Sequence, residues 1–404
     1  MVSVSESAIP VRPAGFRPRL DFVDLLRGWV MVIMALDHVR DFFSGAMIDP
    51  TDLTQTSAPL FLTRWITHYC APLFFFLAGT GAFLSLGRGK TKRDLSWFLV
   101  TRGLWLVLLE LTLVAFGWTF RFNFHELAGL VIWALGWSMV MLAALIYLPL
   151  WGLAAFGVVM IAGHNLLDGI RPEIFGSLGW LWKILHVQDG FQIAPGYFLF
   201  VLYPLVPWIG VMACGYAFGA LLRRERVERR RILFWLGLAL TMGFVLIRAI
   251  NLYGDPNPWS AQKNALFTIF SFLNCAKYPP SLLYLLMTLG PAIIALSLFD
   301  RDLGKFSRPF ILFGRVPLFF YLLHLPLIHG LAVLFAWLRH GYAGGVWLGP
   351  PWGPEITQQY PPNYGYGLLG VYAAWLLVIL LLYPLCRWFG DLKQRRRDAW
   401  LSYF

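Results

Sequence analysis

The chain has 404 residues, of which 58% are hydrophobic, 17% aromatic and only 13% charged. An ordinary soluble domain carries about 25% charged and about 45–50% apolar residues. This composition excludes a disordered chain, a disulfide scaffold, a collagen-like fibre and an ordinary soluble enzyme, and it leaves an all-α polytopic membrane protein whose net charge of +12 has to be read along the chain before it implies an acidic partner.

A helix crossing about 30 Å of hydrocarbon needs about 20 mainly apolar residues. Ten segments fit, at 23–43, 68–87, 95–118, 127–148, 150–167, 197–222, 231–253, 280–299, 310–338 and 366–389. Their apolar runs are continuous rather than alternating, which argues for a transmembrane helical bundle and against a β-barrel. The expected span count is about ten, with about twelve as the upper bound. Pro59-Leu60-Phe61-Leu62, just before the second segment, has the character of a stretch lying flat on the membrane. The ninth segment holds Pro317 and Pro326, so a kink or split is expected there.

Charge separates the connections. Arg12, Arg17 and Arg19 precede the first segment; Arg88, Lys90, Lys92 and Arg93 follow the second; a run of six arginines between Arg223 and Arg231 follows the sixth. Arg301, Lys305 and Arg308 follow the eighth, and Arg387, Lys393, Arg395, Arg396 and Arg397 close the chain. These hold most of the 33 basic residues and fall on one side if every segment crosses. The positive-inside rule makes that side, with both termini, cytoplasmic. Residues 1–20 then read as a cytoplasmic tail, 21–390 as the transmembrane domain and 391–404 as a basic cytoplasmic tail. The excess charge is mostly topological, and no nucleic-acid partner is expected. The first 20 residues lack a short apolar core with a small-residue cleavage site, so the first span is expected to act as an uncleaved insertion signal. Cys70, Cys214, Cys275 and Cys386 have no metal or redox spacing, and no metal is expected. Of the outer loops, 168–196 contains Ile174-Phe175 and Trp180-Leu181-Trp182, the pattern of an interfacial helix.

Charged side chains at the centre of a membrane-spanning helix cost at least about 2.5 kcal/mol each, so those inside the segments are informative. Arg27 and His38 are eleven positions apart, which is three helical turns plus about 20°; they share one face, separated by about 16 Å along the axis. Asp41, three residues beyond His38, is placed to orient its ring as a carboxylate does for a general base, whereas Asp37 is expected on a different face. Arg102 and Arg315 fall near the cytoplasmic ends of their segments, at about the depth of Arg27, and Arg248 falls toward the outside. Three inner arginines suit an anionic cytosolic ligand, because the guanidinium fork matches phosphate. The competing expectation is that each snorkels or pairs separately, Arg27 with Asp24. His38 and His68 flank the first outer loop, and the other histidines lie mostly in the outer half. His324 and His329 stand about 140° apart on a helix and share a site only across a kink at Pro326. Glu110 is a carboxylate in the middle of the third segment with no partner in its own helix.

These residues carry a resemblance. Asp24-Leu25-Leu26-Arg27-Gly28 through Leu36-Asp37-His38 resembles the first span of membrane acyltransferases, and the arginine-to-histidine spacing is similar to the acyltransferase-3 motif. The longer pattern is similar to bacterial members of the heparan-alpha-glucosaminide N-acetyltransferase catalytic-domain family. Its marks are Arg64-Trp65-Ile66-Thr67-His68-Tyr69-Cys70-Ala71-Pro72 with Gly79-Thr80, Tyr253-Gly254-Asp255-Pro256, Lys277-Tyr278-Pro279-Pro280-Ser281-Leu282, and Gly314-Arg315-Val316-Pro317 through His324.

The resemblance implies a multi-pass acyltransferase of the bacterial inner membrane that moves an acetyl group from cytosolic acetyl-CoA to a sugar amine or hydroxyl on the far side. Arg27, Arg102 and Arg315 would hold the acyl-CoA. His38, oriented by Asp41, would deprotonate the acceptor or carry the acyl group, and His68 would assist or replace it. The family's catalytic histidine belongs to the first luminal loop; His38 opens that loop here and His68 closes it. His324 and Lys277 are further candidates for the acceptor side. Membrane lipid and a glycan acceptor are the expected partners, and a homo-oligomer is compatible with the reading. The alternative is a membrane transporter or flippase for a glycan- or lipid-linked substrate, since buried charges also mark permeation paths.

Overall fold

Every one of the ten apolar segments holds a helix: Asp21–Phe43, Ala58–Leu86, Lys92–Thr119, Val131–Leu145, Leu150–Leu167, Leu205–Arg223, Arg226–Ile250, Leu282–Phe299, Arg308–Arg315 followed by Pro317–His340, and Leu368–Arg395. They are called the first to tenth spans. The computed structural model describes residues 20–86, 91–351, 354–396 and 398–404; Arg12, Arg17, Arg19, Arg88, Lys90 and Arg397 lie outside the described residues. Among the described residues, eight helices are long and apolar enough to cross a membrane. The first span is long enough but charged at both ends, and the fourth has 15 residues. The chain is an all-α polytopic membrane protein. Connections carrying residues 44–57, 168–204, 251–281 and 341–367 gather at one end, termed outer by the expected orientation.

The first span is the axis of the bundle. Its polar residues sit near its two ends, and the stretch from Gly28 to Leu36 is free of ionisable groups, so it can be packed on nearly every side. It touches the second, eighth, ninth and tenth spans. The tightest crossing is with Arg308–Arg315. A Cβ on Gly28 would lie 1.7 Å from the Phe310 carbonyl oxygen, and one on Gly314 would lie 1.9 Å from that of Asp24. Small residues let membrane helices approach backbone to backbone. This crossing places Arg315 beside Arg27. Gly314→Ala is expected to cost about 1–3 kcal/mol of stability, read as a lower thermal midpoint in detergent; an unchanged midpoint would contradict the close crossing.

Local structure departs from the apolar pattern in three places. Residues 127–129 and 197–201, read from their hydropathy as parts of the fourth and sixth spans, are strands instead. β1 (Glu126–Gly129), β2 (Asp189–Ala194) and β3 (Tyr197–Val201) form one sheet in the order β1-β3-β2, with β1 parallel and β2 antiparallel to β3. The run Tyr-Phe-Leu-Phe-Val is aromatic and β-branched, and Pro204 keeps the helix from starting before Leu205. The ninth span splits at Val316-Pro317, where Pro317 opens a new helix, while Pro326 lies inside that helix. Pro59-Leu60-Phe61-Leu62 opens a helix, Ala58–Ile66, that joins the rest of the second span through the 3₁₀ turn Thr67–Tyr69. The segment expected to be an interfacial helix forms a 3₁₀ stretch, Pro172–Leu178, and the helix Gly179–Leu185, with Ile174, Trp180 and Leu181 exposed.

Arg248 is the keystone of the outer loop between the seventh and eighth spans. It is 1% exposed and donates to the four carbonyls of Asn257, Ser271, Phe272 and Asn274. Its guanidinium also stands 3.8 Å from Asp255. Asp255 accepts from the Ser281 hydroxyl at 2.6 Å and from the backbone amides of Asn257 and Ala276. Burial raises the Asp255 carboxyl above its ordinary value, and these bonds and Arg248 only partly oppose it. The Tyr253-to-Pro256 and Lys277-to-Leu282 stretches are thus tied together by one buried carboxylate.

Candidate functional site

Two cavities meet inside the bundle. The inner one, about 350 Å³, is lined by Arg27, Arg102 and Arg315 together with Lys393, over apolar walls from the second, third and fourth spans. The outer one, about 990 Å³, is lined by Asp37, His38, Arg40, Asp41, Arg64 and Lys277 and reaches the outer loops. Phe74, Val131 and Tyr321 line both and so stand between them, at what is called the neck. The first span contributes Arg27 to one cavity and His38 to the other, as their shared helix face requires.

In the inner cavity the arginines are both gathered and partnered. Arg27 donates to Asp24 at 3.0 Å and to the Gly314 carbonyl at 3.1 Å. Arg315 pairs with Asp21 at 2.7 Å and lies 3.8 Å from Asp24. Arg102 donates to the Ser402 carbonyl at 2.7 Å, which brings the short C-terminal helix Ala399–Tyr403 against the mouth, and Phe404 lines the wall. The local pairing and the common pocket therefore coexist. Among the described residues, four basic side chains gather here beside the carboxylates of Asp21 and Asp24.

The outer cavity is organised by a string of charges. Arg64 of the second span meets Asp37 Oδ2 at 2.6 Å; Arg40 meets Asp37 Oδ1 at 2.8 Å and Asp41 Oδ1 at 2.6 Å; Asp41 Oδ2 stands 3.5 Å from His38 Nδ1. Asp41 stands beside the His38 ring without a hydrogen bond to its Nδ1, and its other oxygen is held by Arg40. Asp37, expected on another face, lines the same cavity because Arg64 draws it across to the second span. The His38 ring packs edge-on against Trp118 and lies 5.2 Å, centroid to centroid, from His324. His324 Nδ1 is 2.5 Å from the Tyr321 carbonyl. A carbonyl only accepts, so Nδ1 carries the proton and the buried Nε2 is left as an acceptor.

The other candidates separate. His68 is buried, lines neither cavity, and offers its carbonyl to the Tyr284 hydroxyl at 2.7 Å. His329 lies apart from His324, bridging the Gly117 and Val346 carbonyls, so the two do not share a site. Lys277 lines the outer cavity beside Tyr278. Burial raises the Tyr278 hydroxyl, but the Lys277 ammonium and the Arg64 guanidinium outweigh it, and its pKa falls below the ordinary value.

Glu110, orphaned in its own helix, finds its partners in another: Oε2 accepts the Ile132 and Trp133 amides at 2.8 and 3.1 Å, at the start of the fourth span. These are amides that a helix N-terminus leaves unmet. The π-helical turn Glu110–Val114 turns the carboxylate toward the outer cavity, which it lines. Arg40, Arg64, Glu110 and Trp118 were not singled out as site residues by sequence. Arg40 lies in the charged run around His38 and Arg64 in the stretch ending at Pro72, which were the available signals.

The family described as "Heparan-alpha-glucosaminide N-acetyltransferase, catalytic" matches residues 19–248, which contain Arg27, His38, Arg102 and Glu110. No curated protein matches the chain.

Proposed function

The chain belongs to the heparan-alpha-glucosaminide N-acetyltransferase catalytic-domain family, and we propose that it transfers an acetyl group from cytosolic acetyl-CoA to a sugar amine or hydroxyl at the outer side of a bacterial inner membrane. The observation that carries this reading is the pair of cavities meeting at Phe74, Val131 and Tyr321, arginines on one side and His38 on the other.

The donor's phosphates bind Arg27, Arg102 and Arg315. The inner cavity suits the narrow pantetheine arm, which carries the thioester through the neck, while the nucleotide stays at the mouth. The acceptor enters from the outer loops beside Lys277. In direct transfer, its amine or hydroxyl attacks the thioester carbonyl, His38 takes the proton, and the coenzyme thiolate leaves and is protonated. In the covalent route, the His38 nitrogen attacks the thioester carbonyl and expels the coenzyme thiolate, which takes up the proton the ring gives up; the acceptor then attacks the acyl carbon, and the departing imidazole takes the acceptor's proton. Asp41 orients the ring in both. His324, packed beside His38, supports its placement rather than facing the acceptor.

The test is release of free thiol from acetyl-CoA by the purified protein, with a panel of amino sugars and glycans. Acceptor-dependent release supports the reading; accumulation of a substrate in vesicles without any acyl-CoA would favour a transporter instead. Arg102→Gln is expected to raise KM for acetyl-CoA about tenfold with kcat little changed, since a hydrogen bond to a charged group is worth about 1.5–3 kcal/mol. Wild-type KM in glutamine variants of Arg27, Arg102 and Arg315 alike would remove the donor assignment.

A further inference from the structure

A separate cluster lies at the outer end of the fifth span, away from both cavities. His164 opens the 3₁₀ turn His164–Leu167, Asp168 follows it, and His186 caps the helix Gly179–Leu185. One ligand atom from each lies within 4.8 Å of the others, and His186 Nε2 is 3.2 Å from Asp168 Oδ1. Both imidazoles are 2% exposed. Among the described residues, neither ring nitrogen of His164 has a hydrogen-bond partner, and neither does His186 Nδ1. The Pro280 carbonyl comes near His164 but outside hydrogen-bonding geometry. Burying polar nitrogens unpaired costs about 1–3 kcal/mol each, so a bare imidazole beside a carboxylate–imidazole pair calls for a missing partner.

We propose that His164, Asp168 and His186 form a binding site for a first-row divalent cation, Zn²⁺ by its ligand chemistry. Two imidazoles and one carboxylate are ordinary zinc donors, and three protein ligands leave a fourth position for water. Tetrahedral ligands at about 2.0–2.1 Å from the metal stand about 3.3 Å apart. The His186–Asp168 pair already has that spacing, and the third ligand has at most about 1.5 Å to close. The free oxygen of the carboxylate is held: Asp168 Oδ2 accepts from Asn165 Nδ2 at 2.8 Å, while Asn165 Oδ1 accepts the Leu282 amide that starts the eighth span. Such outer hydrogen bonds fix ligand orientation. The Asp168 side chain is 24% exposed, which leaves an entry path from the outer medium.

The cation clips the segment bearing Trp180 and Leu181 to the ends of the fifth and eighth spans. None of its ligands lines the outer cavity, so it acts on the loop and not on the reacting groups. Cysteine spacing carries no hint of it, because its ligands are two histidines and an aspartate.

The test uses tag-free, full-length protein in detergent, stripped with a chelator and dialysed against zinc chloride. The expected result is about one zinc per chain, a zinc-dependent rise in thermal midpoint, and visible bands of a tetrahedral ion when Co²⁺ replaces zinc. Asp168→Asn and His186→Gln should each weaken zinc binding at least about tenfold and abolish the thermal rise. If His186→Gln does not fold, Asp168→Asn, at the partly exposed ligand, makes the same comparison alone. Absence of stoichiometric zinc in the wild type, or wild-type affinity in a folded Asp168→Asn, overturns the proposal.

Discussion

His38→Gln is expected to lower acetyl-CoA-dependent acetyl transfer by about 10²–10⁴-fold, the range over which a positioned acid–base group contributes, with KM for acetyl-CoA near the wild-type value. Glutamine keeps much of the volume against Trp118 and His324 but can neither take up a proton nor carry an acyl group. His68→Gln is expected to keep most of the activity, because His68 stands outside both cavities. The two histidines bracket the same outer loop; the sequence favours His38 for the face it shares with Arg27 and for Asp41 beyond it, and of the two only His38 lines a cavity. Asp41→Asn should cost less than His38→Gln, since Arg40 already shares that carboxylate and the ring remains. Thermal midpoints of the purified variants distinguish lost chemistry from lost fold. Full turnover by a folded His38→Gln protein, or its loss in a folded His68→Gln protein alone, would move the catalytic role away from His38.

Arg248→Met is expected to destabilise the protein by about 3–5 kcal/mol, the cost of removing one partner of a buried, fully bonded charge. Four carbonyls lose their donor, and Asp255 keeps its burial without the guanidinium. Arg248→Lys should not rescue it, because a single ammonium has three donors on one centre and cannot span groups that the planar fork reaches. The damage should begin at the outer loop, where residues 257 to 274 hang on this side chain. Increased proteolysis within 254–279 and a lower thermal midpoint are the readouts. A lysine variant as stable as the wild type would contradict the keystone role.

What could be read from sequence follows the range of the interaction. The helices depend on local hydropathy: each of the ten apolar segments holds one, and among the described residues eight helices are long and apolar enough to cross a membrane. The shared face of Arg27 and His38 depends only on helical pitch, and Asp41 only on a three-residue offset. The common depth of Arg27, Arg102 and Arg315 followed from the charge asymmetry of the loops, and the structure brings them to one cavity. Long-range contacts left no local trace. Glu110 has no acceptable partner in its own span because its donors are backbone amides of the next one, which any residue type would supply. Asp37 turned out to share the cavity because Arg64 reaches it from another helix. The strands β1 and β3 were absorbed into helices because a short continuous apolar run has no period to tell strand from helix. The split at Pro317 rather than Pro326 was open for the same reason: proline marks where a helix can break, and packing chooses.

In the proposed mechanism, a donor held by the inner arginines presents its acyl group to His38 across the neck. A structure of the protein with bound acetyl-CoA shows directly where the donor lies. The expected result is the phosphates beside Arg27, Arg102 and Arg315, the arm passing Phe74, Val131 and Tyr321, and the thioester carbonyl next to the His38 ring. Coenzyme bound from the outer side, or with its thioester remote from His38, would contradict it.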